Sequence, residues 1–111
     1  MRTISKSQLK QCIDNKEDVL VIDVLSKENF QKQHIPGAIN IPLKDNANFV
    51  NDVAQHAASK DQRIIVYCLN TQCPLSRQAA QKLESADYGN VWAFEEGVEG
   101  WFGKPAGQAA A

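Results

Sequence analysis

The chain alternates unbroken apolar runs with segments whose apolar residues recur every three or four positions. Val19-Leu20-Val21-Ile22-Asp23-Val24 and Arg63-Ile64-Ile65-Val66-Tyr67 are near-continuous apolar runs rich in β-branched residues. A strand that lacks polar alternation is buried on both faces, as in a parallel sheet. Shorter strands are predicted at Ile39–Ile41 and Asn90–Phe94. Between these runs the apolar period becomes helical. Leu9, Cys12 and Ile13 share one face of a first helix, and Ser5 and Gln8 have the spacing of a capping box. A short helix is predicted over Ser26–Gln33, before the turn His34-Ile35-Pro36-Gly37-Ala38. In a helix over Asn48–Ala58, Phe49, Val50, Val53 and Ala54 lie on one side. A helix over Pro74–Asp87 has Pro74 in its first turn, where the missing N–H costs nothing. A short helix over Val98–Phe102 closes the chain. Strands separated by helices in this way predict an α/β domain with a parallel sheet.

A length of 111 residues suits one domain with one core. The domain is expected over residues 1–103, and residues 104–111, which lose all periodicity, are expected to be a short flexible C-terminal tail. A formal net charge of −1 gives no electrostatic case for nucleic acid or an acidic membrane surface. No apolar run approaches the roughly 20 residues of a membrane span, and Met1-Arg2-Thr3-Ile4-Ser5 lacks the apolar stretch of a secretory signal. The expected location is the cytoplasm. Three cysteines form no paired framework, and in a reducing compartment they are thiols by default. Cys68 and Cys73, with only two histidines in the chain, have the wrong ligand count and spacing for zinc. No metal and no cofactor is called for.

The chemistry concentrates in Cys68-Leu69-Asn70-Thr71-Gln72-Cys73, between a buried strand and a helix. Ligands of open α/β sheets bind beyond the carboxyl ends of the strands. A helix N-terminus there carries unpaired N–H groups and partial positive charge, and a loop in front of it can turn its own N–H groups toward an anion. A cysteine facing that field is expected to have a lowered pKa and to act as a thiolate nucleophile without a neighbouring base. No histidine lies near the loop in sequence, and His34 and His56 approach it only through the fold.

Each candidate also has a structural reading. Cys12 on an apolar helix face reads as core filler. Cys73, at the helix start, can cap, resolve or attack. Asp23 reads as a residue that orders backbone at its strand end, and His34 as one that fixes the turn. Arg77, one turn into its helix, either steers anions or is a solvated helix-face residue. Trp92, Phe94, Trp101 and Phe102 read as core and edge packing.

Taken together, these residues resemble the rhodanese-like domain family. Val21-Ile22-Asp23-Val24, Glu28, Phe30 and His34 through Pro42 resemble its first signature. Val66-Tyr67-Cys68, Ser76, Ala79-Ala80 and Leu83 resemble its active-site strand, loop and helix, and Tyr88-Gly89-Asn90-Val91, Gly97 and Trp101 its closing signature. The resemblance implies a three-layer fold of about five mostly parallel strands with helices on both faces. It implies sulfur transfer through a persulfide on Cys68, from a small anionic donor such as thiosulfate or a persulfide to a thiol or protein acceptor. The backbone N–H groups of Leu69, Asn70, Thr71, Gln72 and Cys73 would cradle the persulfide, with Ser76 and Arg77 completing the substrate-binding set and Cys73 a possible resolving cysteine.

The departures mark a subtype. Leu25 stands where the family often has arginine, Leu75 where the common loop has one, and Glu96 where the closing signature has its first glycine. The loop is about two residues longer than usual and carries Cys73. A phosphatase or arsenate reductase of this fold needs arginine six residues after the cysteine to clamp a tetrahedral oxyanion, and that position is Pro74. A non-enzymatic binding or regulatory module and a Cys68/Cys73 redox protein are the alternatives to a sulfurtransferase.

Overall fold

Five parallel strands and five helices alternate along residues 2–103, the part of the chain described by the computed structural model. They are β1 (Arg2–Thr3), α1 (Lys6–Asp14), β2 (Val19–Asp23), α2 (Lys27–Lys32), β3 (Ile39–Asn40), α3 (Phe49–Ala54), β4 (Arg63–Tyr67), α4 (Leu75–Ser85), β5 (Val91–Phe94) and α5 (Gly97–Phe102). The sheet order is β1-β5-β4-β2-β3, and every pairing is parallel. The unbroken apolar runs become its centre. In β4, Ile64 and Val66 point to one face and Ile65 and Tyr67 to the other, yet all four are fully buried. Both faces of the sheet are therefore covered, as an α/β fold requires.

The helix signals hold at the level of single bonds. Ser5 Oγ accepts the Gln8 N–H at 3.2 Å, and Gln8 Oε1 accepts the Ser5 N–H at 3.1 Å. Leu9 and Cys12 are buried beneath α1, so Cys12 is a core residue. Boundaries move where turns tighten. The predicted helix to Ala58 ends at Ala54, where the Gln55 and His56 N–H groups turn back to Asp52 and Val53. α4 ends at Ser85, and Asp87 follows in the left-handed region at φ 72°. The strand β1 was not expected. Its two exposed residues carry no apolar pattern, and only pairing with Trp92 and Ala93 defines it. The expected tail over 104–111 lies outside the described residues.

Candidate active site at the carboxyl edge of the sheet

The chain leaves β2 toward β3 and leaves β4 toward β5, in opposite directions across the sheet. The crevice between the carboxyl ends of β2 and β4 is thus the topological switch point, where ligands of such sheets bind. Cys68 is the first residue beyond β4 at that point. Its neighbour Tyr67 pairs with Asp23 and Phe94, and the Tyr67 carbonyl accepts the Val24 N–H at 3.0 Å. Both flanking strand ends therefore hold the cysteine in place.

Residues 68–74 form the loop before α4. The Cys73 N–H donates to the Asn70 carbonyl at 3.1 Å, and the Gln72 N–H to Asn70 Oδ1 at 3.0 Å. From the other side α5 latches on. The Val98 N–H donates to the Cys68 carbonyl and the Glu99 N–H to the Leu69 carbonyl, both at 3.0 Å, while Asn70 Nδ2 donates to Glu99 Oε1 at 3.2 Å. Gly97 makes this approach possible. Its φ is +66°, and a Cβ there would meet the Cys68 carbonyl oxygen at 2.5 Å. Gly97, Val98 and Glu99 therefore belong to the site's frame. Only Gly97 had a sequence signal, as part of the closing signature.

The geometry corrects two expectations. The first concerns acidity. Cys68 is fully buried, and its thiol donates to the Cys73 carbonyl at 3.4 Å. Burial pushes the thiol up to about 11, the Cys73 thiol pushes the same way, and the Ser76 hydroxyl and N–H pull against them. Desolvation of the anion outweighs the helix N-terminus, so Cys68 is a protonated thiol here and not a standing thiolate. The second concerns the cradle. The Gln72 and Cys73 N–H groups are already bonded to Asn70, so the expected five-donor nest is closed at two positions.

Ser76 lies at the start of α4, beside the Cys68 sulfur. Its Oγ is buried and makes no well-formed hydrogen bond among the described residues, and its one interaction of note is with the Cys68 sulfur. Arg77 instead pairs with Glu95 at 3.4 Å. Leu69 and Thr71 are exposed at the loop tip.

Two clefts open beside the loop and share Leu25 and Asn29. One, of about 190 Å³, is also lined by Lys32, Leu69, Val98 and Glu99. The other, of about 420 Å³, is also lined by Ser26, Pro42, Lys44 and Leu75. Leu25 and Leu75 make this rim apolar, with one lysine and one carboxylate in each cleft, Lys32 with Glu99 and Lys44 with Asp45. Neither lysine had a sequence signal.

Beneath the site, Asp23 Oδ1 accepts the Leu25 N–H at 2.9 Å, which orders the strand end. Burial raises its pKa, against the Leu25 N–H, the Tyr67 hydroxyl and nearby His34. The Tyr67 hydroxyl accepts the Ile35 N–H at 3.0 Å, and burial raises its pKa too. His34 stacks on Phe30 at 3.8 Å and its Nδ1 contacts the Phe30 carbonyl at 2.8 Å, so it fixes the turn. Neither histidine is among the groups that set the acidity of Cys68. Among the described residues no three His, Cys, Asp or Glu side chains cluster as metal ligands, and no helix is long and apolar enough to cross a membrane.

The sequence profile of the Rhodanese-like domain matches residues 5–104. The chain is 34% identical over 106 residues to the uncharacterized protein YibN of Escherichia coli (strain K12), covering 94% of this chain and 69% of that protein. It is 28% identical over 98 residues to the thiosulfate sulfurtransferase GlpE of Shewanella oneidensis, covering 88% of this chain and 89% of that one. Its fold is similar to that of a thiosulfate sulfurtransferase from Pseudomonas aeruginosa, with a TM-score of 0.80 and 25% identity over 92% of this chain and 19% of that one.

Proposed function

Because the chain belongs to the rhodanese-like domain family, we propose that it is a sulfurtransferase that carries sulfane sulfur as a persulfide on Cys68. One observation carries this reading. The Cys68 sulfur sits at the switch point of the sheet, facing the N–H and the buried hydroxyl of Ser76. A thiol sulfur is only a weak acceptor for that hydroxyl. A persulfide adds an outer anionic sulfur on the same side, which the hydroxyl can donate to.

In the first half-reaction a small anionic donor, thiosulfate or a persulfide, enters through the clefts beside Leu25. Lys32 and Lys44 supply the positive charge of these clefts, beside the carboxylates of Glu99 and Asp45. The Cys68 thiol gives up its bond to the Cys73 carbonyl, loses its proton and attacks the donor's outer sulfur; the donor's S–S bond breaks, and sulfite or a thiolate leaves and takes up the proton. The Ser76 N–H and hydroxyl favour the thiolate, and the Leu69, Asn70 and Thr71 N–H groups complete the anion's cradle. Arg77, tied to Glu95, acts on the donor only from a distance. In the second half-reaction a thiophilic acceptor, a thiol or a protein thiol, takes the outer sulfur. The same reading places the protein in the cytoplasm, where reducing conditions suit its three free thiols.

The test is thiocyanate formation from cyanide with thiosulfate and with a glutathione persulfide donor. Wild type is expected to turn over at least one donor, and Cys68→Ser neither. Equal rates in the two proteins would refute the assignment.

A further inference from the structure

Cys68 and Cys73 contact each other but differ in access. Cys68 has no exposed surface, whereas Cys73 is partly exposed in the loop, with its other side packed on the core. The Cys68 thiol donates to the Cys73 carbonyl, and the Asn70–Cys73 turn folds the second cysteine back over the first. A small donor reaches Cys68 once this loop relaxes slightly. The thiol of a protein acceptor, on a bulky surface, does not reach a sulfur with zero exposure.

We infer that Cys73 is a relay: it takes the sulfane sulfur from Cys68 and presents it to large thiol acceptors. The inference rests on the persulfide reading of Cys68. In the step, the Cys73 thiolate attacks the outer sulfur of the Cys68 persulfide. The bond between the outer sulfur and Cys68 Sγ breaks, and a bond from the outer sulfur to Cys73 Sγ forms. Cys68 leaves as a thiolate and takes up the proton that Cys73 released. The net change is Cys68 persulfide plus Cys73 thiol to Cys68 thiol plus Cys73 persulfide. No oxidant or reductant is needed. An acceptor thiolate then attacks the outer sulfur on Cys73, leaving with it as a persulfide and restoring the Cys73 thiol.

Burial sets the direction. A perthiolate is a weaker base than a thiolate; at Cys68 the Ser76 donors hold its charge while burial opposes it, and at Cys73 that burial is less complete. Transfer moves the anion toward solvent and leaves Cys68 as the neutral thiol that its surroundings favour.

The test loads the protein with thiosulfate or glutathione persulfide, quenches with iodoacetamide at set times, and maps the sulfur by peptide mass spectrometry. The sulfur is expected on Cys68 first and on Cys73 later, with label on neither in Cys68→Ser. In Cys73→Ser and Cys73→Ala, transfer to a reduced protein thiol is expected to fall at least tenfold relative to transfer to cyanide. Sulfur found on Cys68 but never on Cys73, with an unchanged transfer ratio, overturns the relay and leaves the sulfurtransferase reading intact. A Cys68–Cys73 disulfide formed with one equivalent of sulfide also overturns the relay, because Cys73 then attacks the inner sulfur. No sulfur on either cysteine in wild type overturns both.

Discussion

Cys12 and Cys68 are both buried, at opposite ends of the sheet, and their surroundings differ in kind. Cys12 lies beside the start of β4, where Arg63 Nη1 approaches its sulfur at 3.2 Å. That guanidinium also pairs with Glu17 at 3.3 Å and lies over the Trp92 ring at 5.3 Å, with Arg2 over the same ring at 5.3 Å. Its charge is shared among structural partners, and Cys12 fills core. Among the described residues, no cation belongs to the groups that set the acidity of Cys68. Cys68 has strand ends on both sides, a loop in front and the Ser76 donors behind. A nearby positive charge is therefore a poor guide to a reactive cysteine in this molecule. Position at the carboxyl edge, with donors that have no other partner, separates the two.

The largest effect that separates the two ends is expected in alkylation. The Cys68 pKa of about 11 makes its thiolate grow tenfold per pH unit below that value. Iodoacetamide modification of Cys68, followed by peptide mapping, should thus rise about 1000-fold between pH 7 and 10. A flat profile would mean that a thiolate already stands at neutral pH, and that burial does not control the site. The linkage has a matching sign. The folded pKa lies above the ordinary 9.0, so the stabilising contribution of the neutral thiol is whole below pH 9.0 and is lost as pH rises through about 11.

Next in size is Gly97→Ala, which breaks the frame at the Cys68 end only. Left-handed strain and the clash with the Cys68 carbonyl together are expected to cost about 3 kcal/mol in urea unfolding. A loss under about 1 kcal/mol would show that α5 is not held against the loop as described. Tyr67→Phe follows. It leaves the buried Ile35 N–H without its acceptor and should cost about 1–2 kcal/mol in the same measurement. The smallest effect belongs to the Cys12 end. Arg63→Lys should lower stability by less than about 1 kcal/mol, since its ion pair is partly exposed, and should leave sulfur transfer unchanged. A fall in transfer rate would tie the two ends together and undo the comparison.

Much of this was legible in the sequence, because strand burial writes itself as apolar runs. Val19–Val24 and Arg63–Tyr67 marked the sheet centre, Ser5 and Gln8 the first helix cap, and the strand-loop-helix context marked Cys68. Three features were not legible, for physical reasons. β1 is defined by a partner 90 residues away, with Arg2 opposite Trp92 and no pattern of its own. The acidity of Cys68 was read with the wrong sign. The helix N-terminus was visible in the sequence, whereas the complete loss of solvent from the sulfur is a tertiary fact. Arg77 leaves both anion steering and a solvated helix face open in the sequence, because Glu95, its partner, comes from the turn after β5, 18 residues on.

The most direct test of the central claim is where sulfur lands. Wild-type protein is incubated with a sulfane donor, its intact mass measured, and the adduct mapped by peptide mass spectrometry, beside Cys68→Ser and Cys12→Ser variants. The account predicts a gain of one sulfur atom in wild type and in Cys12→Ser, none in Cys68→Ser, and never an adduct on Cys12. An adduct on Cys12, or a gain that survives the loss of Cys68, would contradict it.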